Sequence, residues 1–278
     1  MDFILETPDT AYSFLLNFLQ MTGEEYIDKY ILECDNNYER FWNRYFELIN
    51  GIDISDCRIV AFHIVGSLDD CAEIKKNGLI NLQKVLSENT ILSRLLLANH
   101  VWFDIENRIL HYEDKLININ YDDYCGRSDL NKTKKKIELL AHRVYYDYCV
   151  NGFMSNDDVF SYGTGIHNRP EFLLRLVDLL PELKPLEDKW FQKSKSYKIT
   201  FFANIEQLHR FNFELDNNED PPYEGWSDLS DDQKIKKWML SHAIERANGN
   251  LAESFLYVKD DIDILPTQII SCQEIHEH

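Results

Sequence analysis

The sequence lacks any run of apolar residues close to the roughly 20 needed to cross a bilayer as a helix. Its first ten residues, MDFILETPDT, also lack the basic region that begins a secretory signal peptide. These two absences argue against the usual membrane and secreted classes. We therefore expect a cytoplasmic protein with no membrane partner.

Positive charge is scarce. Lysine and arginine number 29 against 48 aspartates and glutamates, so the formal net charge is −19 and the isoelectric point is near 4.8. This balance disfavours non-specific adhesion to DNA, RNA or anionic lipid. The one concentrated basic run, Lys134–Lys136, is more typical of a solvated helix start than of a nucleic-acid contact, although a protein acting on nucleic acid would need some such patch.

Several common site motifs are also missing. The six cysteines form no CxxC pair, so we interpret them as reduced core thiols and predict no metal site. The GTG sequence at 163–165 fits neither a P-loop nor a GxGxxG fingerprint, which argues against both nucleotide folds. The irregular spacing of strands and helices lacks the βαβ alternation of a doubly wound parallel sheet.

The composition does support a sizeable core, since 44% of the 278 residues are hydrophobic and 13% are aromatic. Apolar residues at helical spacing over 9–50 predict two or three amphipathic helices. We expect residues 1–50 to form a helical segment packed on the core and residues 51–278 to form the main domain. The aromatic stripe of 1–50 is interpreted as core, with a partner-binding lid as the alternative.

Residues 58–82 are the segment around which we interpret the chain. Residues 58–65 predict a short buried strand, in which His63 is the one polar side chain after Arg58. Residues 68–76 predict a helix that Ser67 can cap, and Gly78 suits a left-handed position after it, followed by Leu79.

The middle of the chain predicts mixed elements. Residues 82–97 predict a helix, residues 101–120 a pair of short strands, and residues 137–148 another helix. The segment 159–169 combines a short apolar strand end with two glycines and contains Tyr162. A turn-rich acidic loop is expected at 217–225.

The far end predicts a strand over 251–258 with one acidic residue, Glu253, at its beginning, and a final strand over 269–275. A helix precedes them, opened by a capping box from Ser230 to Gln233.

These two ends together resemble the ADP-ribosyltransferase superfamily. There a strand with a central His leads into a helix that ends in Gly-Leu, and the last catalytic strand begins with Glu. The pattern is closest to the branch that uses His, an aromatic residue and Glu, the poly-ADP-ribose polymerase-like and DarT-like toxins. The likeness covers the two ends and little between them. One departure is Val65, which stands where the family usually has a hydroxyl residue two positions after the His.

The resemblance implies an α+β fold with an ADP-ribosyltransferase-like split antiparallel β-sheet core, flanking helices and an N-terminal helical segment. It implies NAD⁺ as co-substrate, with Glu253 and His63 catalytic and with His63, Ile64, Gly78, Leu79 and Tyr162 binding NAD⁺. An ordinary tyrosine beside a turn is an equal interpretation of Tyr162.

The resemblance further implies a mono-ADP-ribosyltransferase that modifies a macromolecular acceptor, either nucleic acid or protein, as a bacterial or phage-related toxin or defence effector. An antitoxin or regulatory protein is then a further expected partner. Two alternatives stay open: a non-catalytic interaction protein that keeps the scaffold, and an NAD⁺ glycohydrolase that transfers ADP-ribose to water.

Overall fold

The structure is a computed structural model that describes residues 1–216 and 228–277. The acidic loop expected at 217–225 lies outside the described residues. The strands are β1 (Asp2–Phe3), β2 (Arg58–Ser67), β3 (Val101–Asp104), β4 (Ile109–Tyr112), β5 (Lys115–Asn118), β6 (Asn151–Asn156), β7 (Lys195–Asn204), β8 (Glu253–Tyr257) and β9 (Ile269–Glu274).

Helices occupy most of the remaining chain. They are α1 (Pro8–Leu19), α2 (Gly23–Tyr26), α3 (Tyr38–Arg44), α4 (Phe46–Asn50), α5 (Ala72–Asn77), α6 (Leu82–Ser87), α7 (Ile91–Leu97), α8 (Lys132–Tyr145), α9 (Glu171–Leu179), α10 (Lys184–Lys193) and α11 (Asp231–Ala247), with a π-helix at Ile27–Glu33 and short 3₁₀ turns elsewhere.

Contacts divide the chain into two compact units. Unit one comprises Met1–Phe62, Asn151–Asp157 and Phe202–Tyr257, and unit two comprises His63–Val150, Asp158–Phe201 and Val258–His278. Strands β2 and β7 each begin in one unit and end in the other. The division into residues 1–50 and 51–278 stays a prediction.

Unit one combines strands from three distant parts of the chain. β6 pairs antiparallel with both β2 and β8, and the short β1 runs parallel to β2. Helices α1 and α11 pack against each other, and Phe3, Phe14 and Trp238 contribute rings to the core between them. The capping box at the start of α11 is confirmed, with Ser230 and Gln233 as its reciprocal partners.

Unit two contains the antiparallel pair β7–β9 and an antiparallel sheet in the order β3-β4-β5. Its core joins the inner face of that sheet to α8, α9 and α10, through residues such as Leu110, Val144 and Leu176 that are fully buried. The two strands expected over 101–120 are therefore three. The helix expected over 82–97 is two helices, because Thr90 caps a new helix at Ile91.

The segment after His63 differs from expectation in two ways. β2 continues through Gly66 to Ser67, and the helix begins only at Ala72, because the Ser67 hydroxyl accepts backbone N–H groups from Asp69 and Cys71 and holds a turn there. Gly78 has positive φ as predicted, but at φ 82° and ψ −163° it is extended rather than left-handed helical.

The observed class is mixed α+β with antiparallel sheets, as expected. Within the described part of the chain, no helix has both the length and the apolar character that a membrane crossing requires.

Candidate functional site

Strands β6 and β8 of unit one place a carboxylate and an amide side by side. Asn156, the last residue of β6, stands opposite Glu253, the first residue of β8. The Asn156 side-chain Nδ2 donates a hydrogen bond of 2.8 Å to Glu253 Oε1. Glu253 is exposed, so the carboxylate is oriented by one partner and remains accessible on its other oxygen.

A β-bulge in β6 places the Asn156–Glu253 pair on the same face of the strands as the ring of Phe153. Side chains alternate along a strand, so Phe153 and Asn156, three positions apart, would normally point to opposite faces. The register shifts between Phe153 and Ser155, which places Phe153 opposite Phe255 and Asn156 opposite Glu253. Since Glu253 and Phe255 share a face of β8, the bulge brings all four side chains to that face.

Six aromatic rings extend from this face, and we call them the aromatic row. Neighbouring ring centroids lie 4.9–6.3 Å apart from one end to the other. The row consists of Phe62, Phe153, Phe255, Tyr257, Phe211 and His209. Phe62 and Phe153 are buried, whereas Phe211 is 54% exposed. The row therefore runs from a buried end at Phe62 to an exposed end at Phe211, and Glu253 lies next to its half-buried member Phe255 on the same face of β8.

Arg246, in the last turn of α11, fixes the backbone around the Asn156–Glu253 pair. Its guanidinium donates to the carbonyl oxygens of Leu5, Glu6 and Leu251 at 2.6–2.9 Å and to both carboxylate oxygens of Asp157. The side chain is 3% exposed. The Arg246 hydrogen bond also lowers the pKa of Asp157 below its ordinary value. The residue after Asn156 and the segment just before Glu253 are thus tied to one cation.

The remaining predicted site residues lie in unit two. Ile64 is buried on β2 and Leu79 is 7% exposed. The Leu79 backbone exchanges two hydrogen bonds of 2.9 Å with Ile264. A Cβ on Gly78 would lie 1.9 Å from the Ile264 carbonyl oxygen. Gly78 is therefore required for backbone packing here, which is a structural reason for the Gly-Leu pair that does not involve a ligand.

His63 is half-buried on β2. Because neighbouring side chains of a strand point to opposite faces, His63 points away from the side of β2 that Phe62 occupies. Its assignment to a common site with Glu253 stays a prediction.

Tyr162 is not on a strand, contrary to expectation. It lies among turns between β6 and α9, and its carbonyl accepts the Gly165 backbone N–H. Arg169 supports this loop: it donates to the Thr164 carbonyl at 3.0 Å and pairs with the buried Glu187 of α10. The contact of Tyr162 with nicotinamide stays a prediction.

Sequence reasoning missed Asn156, Phe153 and Arg246. The preceding helix is predicted to end at residue 148 and no strand is predicted over 151–156, although Phe153 belongs to a residue type that is enriched in strands. A bulge leaves no signal in a single sequence, so the pairing of Asn156 with Glu253 was not predictable.

Comparisons of the chain with protein-family models, with curated proteins and with solved structures found no match.

Proposed function

We propose that the protein is a mono-ADP-ribosyltransferase that uses NAD⁺ to modify a macromolecular acceptor. The observation that supports this is the exposed Glu253 carboxylate, held by Asn156 beside the aromatic row. The finer fold assignment, an ADP-ribosyltransferase-like split sheet, is part of the same proposal and rests on the resemblance of the two ends of the chain.

The chemistry explains why a carboxylate is needed. When the bond between nicotinamide and ribose breaks, positive charge develops on the ribose in an oxocarbenium-like transition state. A carboxylate oriented before the reaction stabilises that charge without reorganising. Glu253 takes this role, and its accessible oxygen can orient the acceptor.

The aromatic row gives the planar leaving group a place to pack, since flat rings stack favourably at centroid separations of about 4.5–7 Å. Phe211 is its most exposed member, and Phe255, Tyr257 and His209 are half-buried. The resemblance also assigns His63 to a ribose hydroxyl and Ile64, Gly78, Leu79 and Tyr162 to NAD⁺ binding. Because His63 points away from the side of β2 that Phe62 occupies, this part of the proposal rests on the resemblance and not on the strand geometry.

The acceptor is nucleic acid or protein, and the biological role is that of a bacterial or phage-related toxin or defence effector controlled by an antitoxin or regulatory protein. NAD⁺ carrying ³²P in its adenylate phosphate separates the activities. We expect label on a macromolecule when total nucleic acid or total cytosolic protein is added. Free ADP-ribose in both mixtures, with no labelled macromolecule, indicates a glycohydrolase, and unchanged NAD⁺ contradicts catalysis.

Glu253→Gln tests the assigned carboxylate in the same assay. We expect the rate to fall about a hundred- to thousand-fold, as for loss of one preorganised electrostatic contact of roughly 3–4 kcal/mol. NAD⁺ binding should weaken far less, because the ground state has no developing charge. His63→Ala should weaken both.

Glu274→Gln is the matched control, because Glu274 is also an exposed glutamate at the end of a strand. It should leave the rate unchanged, and the melting temperature of Glu253→Gln should equal that of the wild type. A fully active Glu253→Gln protein would mean that a different group carries the chemistry, and an unfolded one would mean that Glu253 is structural.

A further inference from the structure

Helix α8 in unit two has an apolar face toward the core, and an exposed leucine and tyrosine lie on its solvent side. Its inner face is buried, through Leu140, Ala141 and Val144. The opposite face carries Leu139, His142 and Tyr146 where charged residues would be expected. Leu139 is 39% exposed and Tyr146, which follows the last residue of the helix, is 68% exposed.

The exposed positions have the spacing of a helix-pairing seam. Lys135, Leu139, His142 and Tyr146 are separated by four, three and four residues, which is the a/d pattern of helices that pack side by side. We call these four residues the α8 seam. It spans 12 residues, or about 16 Å along the axis. The 3₁₀ turn Tyr121–Asp123 packs against it. The Tyr121 ring centroid lies 5.4 Å from that of His142 and 5.7 Å from that of Tyr146.

The charge around this seam is opposite to that of the molecule. The segment Lys132–Tyr145 contains five lysines and arginines and one glutamate, a net of +4, in a chain of net charge −19. Lys135 pairs with Glu138, whereas Lys132 and Lys134 form no ion pair with any residue in the described part of the chain. The first turn of α8 has no acidic residue, so its lysines oppose the positive end of the helix dipole.

These observations identify the chemistry of an occupant. A ligand must offer apolar side chains at helical spacing to cover Leu139 and Tyr146, and negative charge to satisfy the lysines. We propose that the α8 seam docks an amphipathic helix of another protein, with apolar a and d positions and acidic flanks. The helix-in-groove mode of recognition uses the same spacing. This proposal does not depend on NAD⁺ chemistry.

A designed peptide serves as the probe. It is a fluorescein-labelled helix of about 16 residues, or about 24 Å, with Leu at a and d and Glu at the flanking e and g positions. We expect saturable binding to the full chain by fluorescence polarisation, with a Kd on the order of 10–100 µM. An otherwise identical peptide with Lys in place of Glu should bind at least about tenfold more weakly.

Two variants locate the binding. Leu139→Ala/Tyr146→Ala should weaken the acidic peptide at least about tenfold, and Lys132→Glu/Lys135→Glu should do the same and remove most of its salt dependence. Leu97→Ala/Lys193→Glu is the matched control, since Leu97 is 62% exposed and Lys193 is exposed elsewhere. It should bind like the wild type. All of these side chains are exposed, so melting temperatures should agree.

Other results would overturn the proposal. Equal binding of the two peptides, or an unaffected seam variant, would place the contact elsewhere. Binding of a single-stranded oligothymidylate but not of the acidic peptide would make α8 a nucleic-acid surface. Reversible self-association in analytical ultracentrifugation that Leu139→Ala/Tyr146→Ala abolishes would assign the face to a second copy of this chain.

Discussion

Asn156 is the residue that distinguishes a positioned Glu253 from an ordinary surface glutamate. Its amide makes one hydrogen bond to the carboxylate, and such a bond to a charged group contributes roughly 1.5–3 kcal/mol. If Glu253 is catalytic, Asn156→Ala should lower the rate of NAD⁺ consumption about tenfold or more. Because both residues lie at an accessible strand end, the melting temperature should change little.

Asn156→Asp makes the same test sharper. A second carboxylate in that position would repel Glu253 and favour its protonated form, so the pH–rate profile should move to higher pH. Asn118→Ala is a matched control, because Asn118 Nδ2 donates to Asp123 Oδ2 at the same distance of 2.8 Å. If Asn118→Ala lowered the rate of NAD⁺ consumption as much as Asn156→Ala does, the effect would not be specific to the amide that contacts Glu253, and Asn156 would have no particular role.

At the scale of elements, α11 is anchored by the Arg246 guanidinium. The side chain is buried and donates to three backbone carbonyl oxygens and to Asp157. Arg246→Ala leaves those carbonyls without their donor, so we expect a loss of about 2–4 kcal/mol in the free energy of unfolding, measured by urea denaturation. Asp157→Asn should cost less, because the Asp157 side chain is 59% exposed.

Arg210→Ala is the comparison for that experiment. Arg210 also pairs with two aspartates, Asp216 and Asp231, but it is 52% exposed. Exposed ion pairs typically contribute about 0–1 kcal/mol. If the two arginine variants were equally destabilised, burial of Arg246 would not be the source of its effect.

The elements also show what the sequence could predict. The capping box of α11 and the apolar run of β2 were predictable, because capping and hydrophobic patterning are local signals. The break at Thr90 that divides α6 from α7 was missed, although Thr90 and Ser93 form a capping box, because apolar residues continue at helical spacing across it. The β6 bulge depends on the partner strand β8, which lies about a hundred residues away in sequence, so no local pattern encodes it. Glu253 was identified through a family resemblance. Its contact with Asn156 could be recognised only once the pairing of β6 with β8 was known.

For the whole molecule, the excess of negative charge sets its response to salt. At a net charge of −19, the negative side chains of the folded protein repel one another. In 0.1 M salt this repulsion is largely screened between charges more than about 10 Å apart. Most of the excess acidic residues therefore lower the free energy of unfolding, and added salt raises it again without changing any contact. Measurements of pH dependence need constant ionic strength for this reason.

Acid should destabilise the protein in two stages, and His242 accounts for much of the first. Burial beside Trp238 lowers the pKa of His242 to about 4 from an ordinary 6.5. Between these values the unfolded chain binds a proton that the folded chain does not, so stability is complete above about pH 6.5 and falls as the pH drops toward 4. Burial lowers the pKa values of His142 and His167 in the same direction.

The second stage begins below about pH 4, because hydrogen bonds to Arg58 and Arg246 lower the pKa values of Asp2 and Asp157.

For the first stage, we expect the unfolding free energy at pH 5 to be about 1–2 kcal/mol smaller than at pH 7.5 through His242 alone. His242→Gln cannot take up that proton, so its urea midpoint should vary less with pH in this range. His276→Gln, at an exposed histidine, should keep the wild-type slope. If the slope of His242→Gln matched the wild type, the first stage would have to come from other groups.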